Sequence, residues 1–419
     1  MIAPSSYGAL SATSANTIQG SRPGFTGQSG AKKLGFVVNG TTYSESLNNI
    51  NPTDIKEFNA LLKLSDFTVT SLTASDFSPT ADYADVDGDE PHPTAAFSMS
   101  PRTFVWKDRT GATISNYNQT LGCGSGLNLP LKLRITLPNV KVKSRYGNPS
   151  ESISTELVQE YKIGTTTGIC FAKPYQMIVK PSETWASIGS WNWNNGSSTP
   201  HPTKGGGYTS DFDPVNGFKA SASTKFPTTG FPKASFTLIM TSNASDWIFS
   251  SNNSAVTVDT GGKVTLNSKP NGAVTIKAIY KNDTNQVHYY TFDPRTVWVV
   301  PKLNPSHRQG IYTYADAKTA CGGASGIASI AMLTNAPNNG AENYFTRAIG
   351  SVFGEWGQTT RETYPASLWN DTAQVDNYYW VSDNPPPSGY PYGVNSRDGK
   401  VIISAVVGSN VFGYLACRG

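Results

Sequence analysis

Leu131, Leu133, Ile135 and Leu137 alternate strictly with Lys132, Arg134 and Thr136. A period of two puts the apolar set on one face of an extended chain, so the pattern predicts a half-buried strand. Leu34-Gly-Phe-Val-Val38 predicts another, turning at Asn39-Gly40 into Thr41-Thr-Tyr43. Asn-Gly between two such runs is a hairpin signal. Phe67 with Val69, Thr103 to Lys107, and Val274, Ile276 and Ala278 extend the series. Helical spacing appears in three places only. Thr53 is placed to cap a helix carrying Ile55, Phe58, Leu61 and Leu62 on one face. Thr313, with Asp316 three residues on, is placed to cap one carrying Ala317, Ala320 and Cys321. A third is predicted from about Ala341, capped by Asn339 with Glu342 following. Its core stripe is Tyr344, Phe345, Ala348, Ile349, Val352 and Phe353. The chain therefore reads as mainly β and multidomain.

The 419 residues suggest two to four domains. Sparse charge and abundant Gly, Ser, Thr, Asn and Pro fit extracellular modules built of short strands and turns. The net charge of +4 is dispersed, and no basic run with interleaved aromatics points to nucleic acid. The four cysteines, Cys123, Cys170, Cys321 and Cys417, contain no Cys-x-x-Cys pair, and the four histidines are scattered, which argues against structural zinc. No His-Glu-x-x-His, Gly-x-Ser-x-Gly, phosphate-binding loop or dinucleotide fingerprint occurs, so an enzyme is not indicated. Met1-Ile-Ala-Pro lacks the basic and apolar regions of a signal peptide, and no run approaches a membrane span. For an exported protein this makes Met1 an expression start, with the natural chain extending further upstream.

Three stretches carry candidate chemistry. Asp85, Asp87 and Asp89 alternate around Gly88, a pattern that suits calcium, although the bidentate glutamate of an EF-hand loop is missing. A solvated acidic loop is the plainer reading. Trp185, Trp191 and Trp193 could stack on sugar rings, but core or hinge packing is the plainer reading. The loop from Asp383 to Tyr392 is stiffened by three consecutive prolines. Ordering it on binding costs little, and Tyr390 and Tyr392 offer amphipathic contact area.

The last hundred residues hold Tyr312-Thr-Tyr-Ala-Asp-Ala-Lys-Thr-Ala-Cys321, Gly354-Glu-Trp-Gly357, Tyr378-Tyr-Trp-Val-Ser382 and Phe412-Gly-Tyr-Leu-Ala-Cys417. In this order they resemble the C-type lectin-like module that caps the intimin and invasin adhesins of enteric bacteria. Upstream, Trp247-Ile-Phe-Ser-Ser-Asn, Val256-Thr-Val-Asp259 and Gly262-Lys-Val-Thr resemble the bacterial immunoglobulin-like repeat of the same family. Gly122-Cys-Gly-Ser-Gly126, Gly168-Ile-Cys-Phe-Ala-Lys-Pro174, His201 to Tyr208 and Phe226 to Pro232 resemble the adhesion domain found beside such modules.

The resemblance implies Ig-like β-sandwich modules followed by an α+β C-type lectin-like domain. The expected divisions are 1–33 as a lead-in, 34–230 as an adhesion domain with a break near 175, 231–304 as the Ig-like domain and 305–419 as the lectin-like domain. It selects Cys123–Cys170 and Cys321–Cys417 among the three connectivities, and hence an oxidising compartment. Trp369-Asn370-Asp371 precedes the Tyr-Trp strand and lacks the lectin signatures, so it reads as a turn more than as a calcium–sugar site. Trp369 and Asp371 are kept with Asp383, Tyr390 and Tyr392 as candidate receptor contacts, and Asp376 is a further acidic candidate. The implied function is a monomeric surface adhesin binding a host-cell receptor, protein or glycan, through its C-terminal tip. It would be displayed by an upstream outer-membrane barrel or released by a separate barrel exporter. A secreted virulence-modulating protein of the same family and a glycan-binding module are the alternatives. No cofactor is required, and calcium is the one candidate.

Overall fold

The computed structural model describes residues 19–166, 168–180, 200–201, 203–307, 309–338, 343–369, 378–383, 390–403 and 413–419. The chain gathers into two units. The first comprises 1–121 and 127–166; the second comprises 122–126 and 167–419. Residues 231 to 419 thus share one unit.

Strands of the first unit are β1 (Gly24–Phe25), β2 (Gly35–Val38), β3 (Thr41–Ser44), β4 (Ile55–Phe58), β5 (Thr68–Val69), β6 (Tyr83–Ala84), β7 (Phe97–Ser98), β8 (Thr103–Lys107), β9 (Thr113–Ile114), β10 (Leu131–Val142) and β11 (Thr155–Thr165). The main sheet runs β4-β11-β10-β8-β9, with β7 on the far end of β10, and a smaller sheet runs β3-β2-β5. The predicted alternation is realised: Leu131, Leu133, Ile135 and Leu137 are all buried on β10, and the intervening residues are not. The register slips between Leu137 and Val140, where Asn139 takes a positive φ. The β2–β3 hairpin turns at Asn39 and Gly40, both left-handed, as the Asn-Gly signal requires. Phe36, Phe58, Phe67 and Tyr161 form a ring cluster beneath it.

The helix predicted after Thr53 is absent. Ile55–Phe58 is a strand paired in parallel with Lys162–Thr165 of β11. Only Phe58 is buried there, and Ile55 is exposed, so the apolar spacing that suggested a helix face does not form one.

The second unit contains β12 (Ile169–Pro174), β13 (Phe212–Asp213), β14 (Gly217–Lys219), β15 (Thr229–Gly230), β16 (Ala234–Met240), β17 (Trp247–Ser251), β18 (Val256–Val258), β19 (Lys263–Leu266), β20 (Val274–Tyr280), β21 (Val287–Phe292) and β22 (Val297–Lys302). Then come α1 (Tyr314–Ala320), α2 (Ile330–Leu333), α3 (Val352–Trp356), β23 (Tyr378–Trp380), β24 (Tyr392–Asn395), β25 (Val401–Ile403) and β26 (Leu415–Arg418). A sheet β13-β14-β12-β16-β19-β18 faces β17-β20-β21 across a shared core that includes Phe236, Trp247, Val264 and Ile276. Burial on β20 falls on Val274, Ile276 and Ala278, the face predicted from the sequence.

One core runs on from these strands into the C-terminal segment, taking in Trp356, Trp369, Tyr379 and Val394. The last strand, β26, pairs antiparallel with β22, and β22 pairs in parallel with β15. Among the described residues no helix is long and apolar enough to cross a membrane.

Helix α1 starts as predicted: the Thr313 hydroxyl accepts from the Asp316 N–H. The helix expected from about Ala341 is not formed over the described residues. Tyr344 and Arg347 instead bridge to Gly205 and Tyr208, and helix begins only at Val352, capped by Ser351. Gly205 makes this possible. It has φ +73, and a Cβ there would lie 2.3 Å from the Tyr344 carbonyl oxygen. Tyr344 and Phe345 are buried on non-helical backbone, and Val352 and Phe353 are buried within α3. Asn339 and Glu342 lie outside the described residues.

Candidate recognition surface

Disulfides close Cys123 to Cys170 and Cys321 to Cys417. The second joins the end of α1 to β26. Around it Tyr312, Ala317, Ile327, Trp380 and Leu415 pack as a small core. The Trp380 indole N–H donates to the Tyr312 carbonyl at 2.9 Å, fixing β23 against the strand-like entry to α1. From β23 the sheet continues through β24 to β25.

The five candidate contacts have different fates. Tyr390 is 46% exposed at the entry to β24. Tyr392, on β24 opposite Ile403, is half-buried and packs against the core. Asp383 is committed to the fold: its carboxylate accepts the Ile330 N–H at 2.6 Å, at the start of α2. Trp369 is a correction, because it is only 1% exposed and cannot present its indole to a receptor. Its ring packs on Tyr379, Phe231 and Phe353, at centroid distances of 4.9, 5.4 and 6.0 Å. Asp371 and Asp376, like Trp185, Trp191 and Trp193, lie outside the described residues. Leu368, 50% exposed, and Ile403, 36% exposed, are apolar surface residues that the sequence did not single out.

The acidic loop folds onto itself. The Asp85 carboxylate accepts the N–H groups of Asp87 and Asp89, and that of Asp87 accepts the Ser21 N–H. The Tyr83 hydroxyl donates to the Asp89 carbonyl at 2.8 Å, and burial, with the charges of Asp85 and Asp89, pushes it up to about 12. Among the described residues no three acidic, histidine or cysteine side chains converge as a metal site, so the proposed calcium set Asp85, Asp87 and Asp89 is not assembled.

No local pattern around Glu355 marks the role of its carboxylate. It is fully buried in α3. One of its oxygens accepts from Gly350 N at 2.9 Å and from the Thr228 hydroxyl. The other accepts from Thr229 N at 2.9 Å, Thr229 Oγ1 at 2.8 Å and Thr228 N at 3.0 Å. The neighbouring Trp356 indole donates to Thr229 Oγ1 at 3.0 Å. The Glu-Trp-Gly turn therefore grips β15, some 127 residues upstream. Burial pushes the Glu355 carboxyl above the usual carboxylate range, while hydrogen bonds from Thr228, Gly350 and Thr229 pull it down. Arg347 lies beside it, wholly buried, with its guanidinium 4.6 Å from the Phe212 ring centre and donating to the Glu355 carbonyl at 3.0 Å. Burial pulls this guanidinium down to about 10. The Gly357 position has no room for a side chain, because a Cβ would fall 2.1 Å from Arg347 Nη1.

Lys180 is a second buried cation, 5.6 Å above the Phe345 ring. Burial lowers its ammonium to about 7, partly opposed by Asp398. Between about pH 7 and the unfolded value of 10.5 the unfolded chain therefore binds the extra proton, and stability must rise with pH across that window. Urea unfolding of the wild type at pH 6.5 and pH 9.5 is expected to show this rise. In Lys180→Met the slope should be largely lost, and an unchanged slope would place the titration elsewhere.

Residues 210–292 match the family described as invasin, domain 4. The match covers about a fifth of the chain. The matched segment spans β13 to β21. No curated protein matches the chain. Among solved structures it is similar to invasin, a bacterial integrin-binding protein, at 16% identity and a TM-score of 0.37. That match covers 80% of this chain and 53% of that one. A C-terminal 282-residue fragment of intimin, in complex with the intimin-binding domain of the translocated intimin receptor, is similar at 17% identity and 0.35, covering 84% and 92%. Intimin-190 from enteropathogenic E. coli is similar at 24% identity and 0.28, covering 48% and 92%. The chain thus spans about half the length of the invasin structure it matches.

Proposed function

We propose that this chain is the extracellular region of a bacterial surface adhesin and binds a host-cell receptor through its C-terminal module. The observation that carries the reading is the invasin domain at 210–292, continued by a disulfide-closed segment that packs onto the same core. In this reading the chain divides into a lead-in (1–33), an adhesion domain (34–230), an Ig-like spacer (231–304) and a lectin-like tip (305–419). A β-barrel anchor or exporter serves for display, and the protein binds rather than catalyses.

Tyr390 is the contact of choice. It is an exposed aromatic beside the proline-stiffened loop, and tyrosines anchor interfaces at small entropic cost. Leu368 and Ile403 supply further apolar area.

Deleting 305–419 would not test this cleanly, since it strips β26 from β22 and Glu355 from Thr228 and Thr229. Point variants do. Purified Tyr390→Ala and Leu368→Ala chains are expected to bind cultured epithelial cells about ten-fold more weakly than wild type, a loss of about 1.4 kcal/mol each. Wild-type binding by both variants, with their unfolding midpoints unchanged, would move the contact away from this surface.

A further inference from the structure

We infer that the cleft between the 3₁₀ turn Glu45–Leu47 and strand β4 of the first unit is a binding site for a neutral saccharide of one or two rings. It is a separate site from the proposed tip and stands on this unit alone. The cleft encloses about 520 Å³, within the range of about 300–1,000 Å³ common for small-molecule sites.

Its walls are unusually rich in side-chain amides. Asn49 is held by donating to the Thr42 carbonyl at 2.7 Å and accepting from Ser44 N at 3.1 Å. Asn51 is held by Asp54 at 3.0 Å and by the N–H and hydroxyl of Thr53. Glu45 is held by Lys32 at 2.9 Å and Gln159 at 2.9 Å. These side chains are fixed before any ligand arrives, so little ordering remains to be done on binding. Each carboxamide has two N–H groups and two carbonyl lone pairs, and the bonds named use one N–H in each. Asn48 makes no side-chain hydrogen bond among the described residues, and its left-handed backbone (φ 54) closes the turn onto the Glu45 carbonyl.

Unspent donors and acceptors side by side match a hydroxyl, which gives and takes at once. Other ligand classes fit less well. Glu45 and Asp54 offset Lys56 and Lys32, so the cleft has no surplus of positive charge to draw anions such as phosphates. No metal set converges among the described residues. No aromatic side chain is among the residues lining the cleft, so a nucleobase has no ring there to stack on. Ile50 and Ile55 add the apolar contact that sugar C–H groups need.

Saturation-transfer NMR on the full chain tests this, with lactose, N-acetyllactosamine, 3′-sialyllactose and the core oligosaccharide of a rough lipopolysaccharide as probes. Transfer to at least one neutral probe is expected. Lactose or N-acetyllactosamine would indicate a host-type ligand, and the core oligosaccharide a bacterial one. Asn48→Gly keeps the left-handed turn and removes only the amide. It should weaken binding about ten-fold with an unchanged thermal midpoint. The site is refuted if no neutral probe receives saturation, if Asn48→Gly binds like wild type, or if 3′-sialyllactose binds more tightly than lactose.

Discussion

Replacing Glu355 with alanine is expected to destabilise the second unit by about 3–5 kcal/mol. The carboxylate is fully buried and accepts from three backbone N–H groups, those of Thr228, Thr229 and Gly350, and from two threonine hydroxyls. Removing it leaves these donors in a dry core, and each unsatisfied buried group costs about 1–3 kcal/mol. The loss should exceed that of an ordinary exposed glutamate by far more than experimental error. Glu355→Gln is the informative companion. Each carboxylate oxygen faces a backbone N–H as well as a threonine hydroxyl, so an amide nitrogen at either position meets at least one N–H donor and can donate only to a hydroxyl that must turn to accept it. Glutamine should therefore recover less than half of the alanine loss despite its matching shape. Urea unfolding followed by tryptophan fluorescence reads both variants. A cost below about 1 kcal/mol for alanine would mean that the apolar packing of Trp356, and not the carboxylate, holds α3 to β15.

Removing the Cys321–Cys417 disulfide is expected to cost about 2–5 kcal/mol. The bond closes a loop of sequence separation 96, and long loops lose the most chain entropy when cross-linked in the unfolded state. Cys123–Cys170, at separation 47, should cost somewhat less by the same argument. The paired variant Cys321→Ser with Cys417→Ser avoids leaving a lone thiol. Thermal melts of the two double variants rank the bonds. If the shorter loop proves the more costly to lose, the effect resides in the native packing around Cys123 and not in loop length.

Local signals in the sequence located much of the fold. The alternation at Leu131–Leu137, the Asn39-Gly40 turn and the Thr313 cap each depend on neighbours within a few residues, and each forms as read. The failures share a cause. Ile55–Phe58 is extended because β11, a hundred residues later, offers it a parallel edge. Tyr344–Arg347 is extended because Gly205 and Tyr208 accept it as a bridge partner. In both places a partner distant in sequence overrides a helical spacing that is real but weak. The candidate site was legible to a lesser degree. Tyr390 is exposed, but Trp369 turned out to be core, since an aromatic's side of a turn is decided by tertiary packing. Asp383 had the charge of a contact residue and is engaged in holding α2. The Glu355 grip was illegible because its five donors come from two segments that no short pattern connects.

The pairing of β26 with β22 has a mechanical meaning. Val299 to Lys302 lie opposite Arg418 to Leu415, so the chain leaves this ladder at Lys302 and rejoins it at Leu415. A pull on Tyr390 directed along these strands drags β26 lengthwise over β22. The ladder is then loaded in shear, and its rungs resist together instead of parting one after another. Such tension is shared among four facing residue pairs.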